Sequence, residues 1–447
     1  MQTPLDRTGA LTHGRVLRVA VPIVLANVTV PLLGAVDTAV VGQMGMAAPI
    51  GAVGLGAIIL SSVYWIFGFL RMGTSGLAAQ AQGQGDQVES TAILLRALAV
   101  GALAGLVFIL AQVPLTFVAL ALSPGSAEVE SLARGYLQIR IWGAPATIAL
   151  YAVTGWLIAV ERTRAVLALQ LWINGLNIAL DLWFVIGLGW GVEGVAWATL
   201  CAEWTGLLFG LWLCREAFGP ALGPALARLR EAEAIARMIA VNRDIMIRSV
   251  LLQISFTSFL FLGAGLGDVT LAANQVLMQL LTVAAFFLDG FAFAAEALVG
   301  RAIGARSVGG ARRAAILTSQ WGVGAVACLS LAYALTGPLI IDLMTTSVEV
   351  RAAARLYLPW LIAAPLIGVA AWMLDGIFIG ATLTRQMRRA MLQSVAVYAL
   401  ALAVLIPVAG NHGLWMSLMI LNLTRGVTMG RQWPEVERKA GLASSTV

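Results

Sequence analysis

The sequence predicts an all-α, polytopic membrane protein with twelve transmembrane helices, arranged as two six-helix lobes related by a pseudo-twofold axis along the membrane normal. Three observations predict it. The 447 residues are 60% hydrophobic and 11% charged, with a mean hydropathy of +0.90, whereas an average soluble domain is about half apolar and about a quarter charged. Apolar runs long enough to cross about 30 Å of hydrocarbon recur from end to end. The third is an internal repeat: a shift of 221 residues lays Ala52 on Ala273, Gly83 on Gly304, Tyr136-Leu137 on Tyr357-Leu358 and Gly155 on Gly376. A water-soluble surface cannot be assembled from so few charges, so lipid must solvate most of the exterior.

The first span, near 16–42, follows a short polar stretch and contains Pro22, Pro31 and Asp37. It lacks a small-residue cleavage site and so reads as a span, not a removable signal. Further spans fall near 51–81, 92–121, 132–159, 164–188 and 192–214, completing an amino-terminal lobe over 1–214. Residues 215–241, rich in Pro, Gly, Arg and Glu, form an amphipathic cytoplasmic connector. The carboxy-terminal lobe, 242–431, holds spans near 244–266, 270–300, 312–336, 353–380, 388–408 and 411–430, and 432–447 is a tail. The last span is the weakest, because Asn411, His412, Asn422 and Arg425 interrupt it. An even number of spans per lobe returns the chain to its starting side, which makes the repeats parallel.

Basic residues, which played no part in placing the spans, sort by side. Arg7, Arg15, Arg18, Arg96, Arg162, Arg164, six arginines from Arg215 to Arg248, Arg301, Arg306, Arg312, Arg313, Arg385, Arg388, Arg389, Arg425, Arg431, Arg438 and Lys439 fall with the amino terminus. Only Arg134, Arg140, Arg351 and Arg355 fall opposite, and Arg71 lies inside the second span. This bias predicts that both termini are cytoplasmic, in the inner membrane of a bacterium. The net charge of +6 is thus topological rather than a nucleic-acid footprint. Cys201, Cys214 and Cys328 sit in apolar runs without CxxC spacing and read as core residues.

Some chemistry is excluded. A single lysine, Lys439, leaves no P-loop. There is no HExxH or GxSxG, and the histidines, His13 and His412, stand apart. The reading is therefore a monomeric non-enzyme without cofactor, driven by an ion gradient, whose partners are the lipid bilayer and a small organic solute.

Ionisable groups inside spans cost at least ~2.5–3.5 kcal/mol at a helix centre, so they are paired or functional. Here they are Asp37, Asp181, Glu203, Asp289, Glu296 and Asp375. Asp37 lies about twenty-one residues up the first span and Asp181 about seventeen up the fifth, which puts both in the outer half of the bilayer. Asn174, Asn177 and Asp181 have i, i+3, i+7 spacing and share one helix face. Thr199, about two turns below the outer end of the sixth span, is at a similar level. Two carboxylates held close in a low dielectric cannot both ionise cheaply, so the Asp37 and Asp181 pair is a proton-carrying switch. Asn174, Asn177 and Thr199 form its supporting polar network. Pro31, like Pro22, removes a backbone hydrogen bond and lets the first helix bend below Asp37. For Glu203 structural and functional roles balance. Asp289, Glu296 and Asp375, lower in their helices, read as gate or structural residues, and Arg71 as a snorkelling or acid-paired group.

The stretches PIVLANVTVPLLGAVDTAVVG (22–42), FLRMGTSGLAAQAQGQGD (69–86), ALDLWFVIGLGWGVEGVAWATL (179–200), NRDIMIR (242–248) and LDGFAFAAEALVGRAIGA (288–305) resemble the DinF-like branch of the MATE multidrug and toxic compound extrusion transporters. The resemblance covers nearly the whole chain. It implies a cation-coupled antiporter exporting organic solutes by alternating access, with its carboxylates at Asp37 and Asp181 and the supporting residues at Asn177 and Thr199. The NorM-like branch instead uses a sodium site in the carboxy-terminal lobe. There the sequence departs, offering Gln253 and no acid on the seventh span, and Ala371 four residues before Asp375. Proton coupling is therefore expected, with Na+ at the Asp37, Asn177, Asp181 and Thr199 oxygens as the alternative. The rival of another class is a flippase for lipid-linked precursors, which would carry more arginines within its spans.

Overall fold

A computed structural model describes residues 11–43, 47–122 and 126–441, apart from the side chains of 31–35, 37, 38, 47 and 122. Its helices are α1 (His13–Gly42), α2 (Ala47–Trp65), α3 (Gly68–Gln84), α4 (Gln87–Leu110), α5 (Gln112–Leu122), α6 (Ala127–Arg140), α7 (Ala144–Ala159), α8 (Thr163–Asp181) and α9 (Gly191–Leu213). They continue as α10 (Leu222–Arg228), α11 (Ala232–Ala264), α12 (Asp268–Gly304), α13 (Val308–Met344), α14 (Val348–Gly380), α15 (Thr384–Gly430) and α16 (Trp433–Gly441). No strand occurs among the described residues.

Among the described residues, eleven helical runs are long and apolar enough to cross a membrane. The second predicted span is α2 and α3 across one turn, and the fourth is α6 and α7 joined by the tight turn Ile141–Gly143. The last two predicted spans share α15, whose backbone is non-helical at Gly410 (φ 54°, ψ −127°). A Cβ on Gly413 would lie 2.1 Å from the Leu405 carbonyl oxygen, whereas eight residues of straight helix extend about 12 Å. The chain therefore reverses there, and the twelfth span is present. Asn411 and His412 do not interrupt it; they begin it.

The chain forms two compact units. One comprises Leu25–Gln82 and Asp86–Met238; the other comprises Met1–Val24, Gly83–Gly85 and Ile239–Val447. The first packs α4 on α7, α8 on α9 and α2 on α6, and the second packs α12, α13, α14 and α15 together. In the second unit Trp415 is fully buried, edge-on to Phe259 with ring centroids 5.0 Å apart. Its indole donates to Asn274 Oδ1 at 2.9 Å, and Asn274 and Asn411 exchange amide hydrogen bonds of 2.7 and 3.0 Å. The polar start of the last helix is thus satisfied inside the bundle, which is what an amide in hydrocarbon requires.

The 221-residue repeat recurs in backbone detail. After α7, Glu161 takes φ 60° and the Arg162 N–H donates to Leu157 O at 2.8 Å; after α14, Thr382 takes φ 50° and the Leu383 N–H donates to Phe378 O at 2.9 Å. Asp86 caps α4 by accepting from the Glu89 N–H at 2.9 Å, and Ser307 caps α13 by accepting from the Gly310 N–H at 3.0 Å. Each capping oxygen satisfies one of the donors a helix start leaves open.

Candidate functional site

The face of α8 predicted from spacing is inside the amino-terminal unit. Asn174 is 5% exposed, and Asn177 and Asp181 are fully buried. Asn174 Nδ2 donates to Thr29 Oγ1 at 2.9 Å and to Thr29 O at 3.2 Å, and its Oδ1 accepts from Gln170 Nε2 at 2.9 Å. The Thr29 hydroxyl in turn donates to Ala26 O at 2.7 Å. One turn on, Asn177 Nδ2 donates to Thr199 Oγ1 at 3.0 Å, and that hydroxyl donates to Val195 O at 3.0 Å within α9. Asn174 therefore ties α8 to α1, and Asn177 ties it to α9.

Asp181 ends the α-helical part of this span. Residues Leu182–Gly187 continue it as a π-helical turn, closed by the Leu188 N–H on Trp183 O at 2.9 Å. Gly189 (φ 69°) and Gly191 (φ 59°) then turn the chain into α9. A π turn breaks the regular α-helical ladder, and such insertions concentrate at functional sites. Here the irregularity adjoins the buried carboxylate.

The side chains of Asp37 and Pro31 lie outside the described residues. Helix α1 runs from His13 to Gly42, and Asp37 is about two turns beyond Thr29 along it. Pro22 is buried within α1.

Glu203, near the middle of α9, lies in a two-pronged ion pair: Arg140 Nη1 donates to Oε2 at 2.7 Å and Nη2 to Oε1 at 2.9 Å. Arg140 is 6% exposed. Sequence reading set it among the loop charges opposite the amino terminus, and the structure moves it into the protein. The signal was available, because Arg140 lies inside the predicted span 132–159 and a mid-span acid demands a cation. Arg71 is also buried, at 8% exposure.

Asp375 lies between two guanidinium groups, from Arg248 of α11 and from Arg425 of the last helix, the latter at 2.5 Å. Arg425 also donates to Asn422 Oδ1 at 3.1 Å. One turn before Arg248, the buried Asp244 accepts from Arg388 at 2.6 Å. Sequence reading counted Arg248 and Arg425 as loop charges; both are buried partners of Asp375. Glu296 is buried and Asp289 half-buried on α12.

The profile of the MatE family matches residues 22–183 and again 245–405. DNA damage-inducible protein F of Escherichia coli (strain K12) is 40% identical over 421 residues, covering 93% of this chain and 90% of that protein. A probable multidrug resistance protein NorM of Synechococcus is 29% identical, covering 71% of this chain and 69% of its own length. Among solved structures, the outward-facing conformation of a multidrug resistance MATE family transporter superposes with a TM-score of 0.86 at 18% identity, each chain covered completely.

Proposed function

This chain belongs to the MatE family of multidrug and toxic compound extrusion transporters, and on that premise we propose that it exports organic solutes across the inner membrane in exchange for protons. The observation that carries the coupling reading is Asp181, a fully buried carboxylate at a π-helical turn, flanked by the Asn174–Thr29 and Asn177–Thr199 contacts. A carboxylate away from water is a costly group to keep charged, so a proton arriving there changes the local energetics strongly. Because Asn174 joins this face to the helix that carries Asp37, protonation can be read out in α1. Outward-open protein takes up protons at Asp37 and Asp181, α1 bends at its prolines, and the solute leaves. The deprotonated pair favours a cationic or polar aromatic solute from the cytoplasm.

Sodium is the alternative coupling ion. The position of Asp375 supports protons, since guanidinium groups already surround that acid. One proton exchanged for one monovalent cation moves no net charge and draws only on the pH gradient, about 1.4 kcal/mol per unit. Two protons would also draw on the membrane potential, about 2.3 kcal/mol per charge per 100 mV.

Everted vesicles loaded through an imposed pH gradient test this. A fluorescent organic cation should accumulate with the parent protein and not with Asp181→Asn or Asp37→Asn. Uptake that follows a sodium gradient and ignores pH, or normal pH-driven uptake by both variants, overturns proton coupling.

A further inference from the structure

Resting on the proton-coupling reading, we infer that the Arg140–Glu203 pair is a positioning element for the Asp181 site, setting the rotation and height of α9 so that Thr199 meets Asn177. Glu203 and Thr199 are four residues apart on α9, and Asn177 and Asp181 are four apart on α8, so each pair shares a face. The links run from Arg140 through Glu203 and one turn of α9 to Thr199, then through Asn177 and one turn of α8 to Asp181.

A two-pronged guanidinium–carboxylate contact fixes direction as well as distance, which a single hydrogen bond does not. The surroundings are shaped to hold it. A Cβ on Gly143 would lie 2.3 Å from Glu203 Oε2 and 3.0 Å from Arg140 Nη1, so the carboxylate rests directly against the backbone at the start of α7. Tyr64 of α2, Tyr136 of α6 and Tyr151 of α7 are the neighbouring titratable groups, and Tyr64 is buried with its hydroxyl unpartnered. Stability alone gives no reason for such a pair, because well-packed apolar residues of similar volume serve as well or better. Geometry does give one: α9 carries the Thr199 hydroxyl to which Asn177 donates.

The test is a set of variants made in the full-length protein. Arg140→Met with Glu203→Leu replaces both charges by apolar groups of similar size and leaves neither unpaired. The expected product has the parent's thermal midpoint in detergent, about tenfold slower pH-driven transport, and a pH midpoint of transport displaced by about half a unit. In a Thr199→Ala background the same double change should cost nothing further, because the pair acts through that hydroxyl. Parent-like transport by the double variant, or losses that multiply with Thr199→Ala, overturns the inference. Should the apolar pair not fold, Arg140→Lys, which keeps the charge and loses the fork, makes the same comparison. Asp181→Asn is measured beside them. If it abolishes pH-driven transport while the apolar pair transports normally, the positioning role alone falls; if it transports normally, the coupling reading falls and takes the positioning role with it.

Discussion

Gly155 and Gly376 show what a single atom does in each half. A Cβ on Gly155 would lie 2.4 Å from the carbonyl oxygen of Arg71, and one on Gly376 would lie 2.3 Å from that of Ala292. Both obstacles are helix backbone, which cannot swing aside, so α7 approaches α3 and α14 approaches α12 only because hydrogen stands where a methyl would be. Gly155→Ala and Gly376→Ala are each expected to cost about 1–3 kcal/mol through overpacking, seen as a lower thermal midpoint in detergent. Gly54→Ala, with no atom within 4 Å of the added carbon, should instead match the parent or gain about 0.5–1 kcal/mol from the more rigid chain. Equal behaviour of the three variants would contradict the close approach. These glycines were visible in the sequence as a repeat, and the face of Asn174, Asn177 and Asp181 was visible as spacing. That Glu203 needs a cation and that Arg140 lies inside a span were visible; that the two meet was not, because 63 residues separate them and only packing of α6 on α9 brings them together.

At the scale of elements, the turn before α4 carries more chemistry than its counterpart before α13. Both caps hold a backbone N–H, but Asp86 also accepts from Arg228 Nη1 at 2.8 Å, linking α4 to the connector helix α10. Burial by itself would raise the Asp86 carboxyl; the hydrogen bond and charge of Arg228, with backbone N–H groups of Glu89 and Val88, outweigh it and hold the group below its ordinary value of 3.8. A depressed folded value stabilises the protein above the unfolded value, and the contribution is lost as pH falls through the folded one. Asp86→Asn keeps a good cap and loses the charge, so its deficit against the parent should be visible at neutral pH and shrink as pH falls below the ordinary value of 3.8 and through the folded one. Ser307→Ala should cost about 1 kcal/mol at every pH. Thermal unfolding in detergent across that range checks both, and a pH-independent Asp86→Asn deficit would show that the carboxylate charge is not involved. The last helix is the element least legible beforehand. Asn411 and His412 looked like breaks because their partners, Asn274 and the Trp360 indole at 3.0 Å, stand on other helices; hydropathy along the chain has no access to them.

For the whole molecule, the same lesson bears on topology. Arg96, Arg140, Arg248 and Arg425 were counted as loop charges, and all four are buried. Removing them takes one residue from the sparse side and three from the rich side, so the opposite side keeps only Arg134, Arg351 and Arg355 and the bias survives. The carboxy-terminal unit adds an independent constraint. Helix α16 is held by Arg312 to Glu437 at 2.7 Å and by Lys439 to Thr382 O at 3.4 Å, so it lies beside the start of α13 and the turn after α14. Those are ends that an even number of crossings returns to the side of the amino terminus. The expected outcome is that, in a background lacking Cys201, Cys214 and Cys328, Glu349→Cys reacts with a membrane-impermeant maleimide on intact cells. Glu231→Cys and Arg389→Cys should react only after permeabilisation. Labelling in the reverse sense would invert the protein in the membrane, and with it the direction in which a proton gradient could drive solute past Asp181.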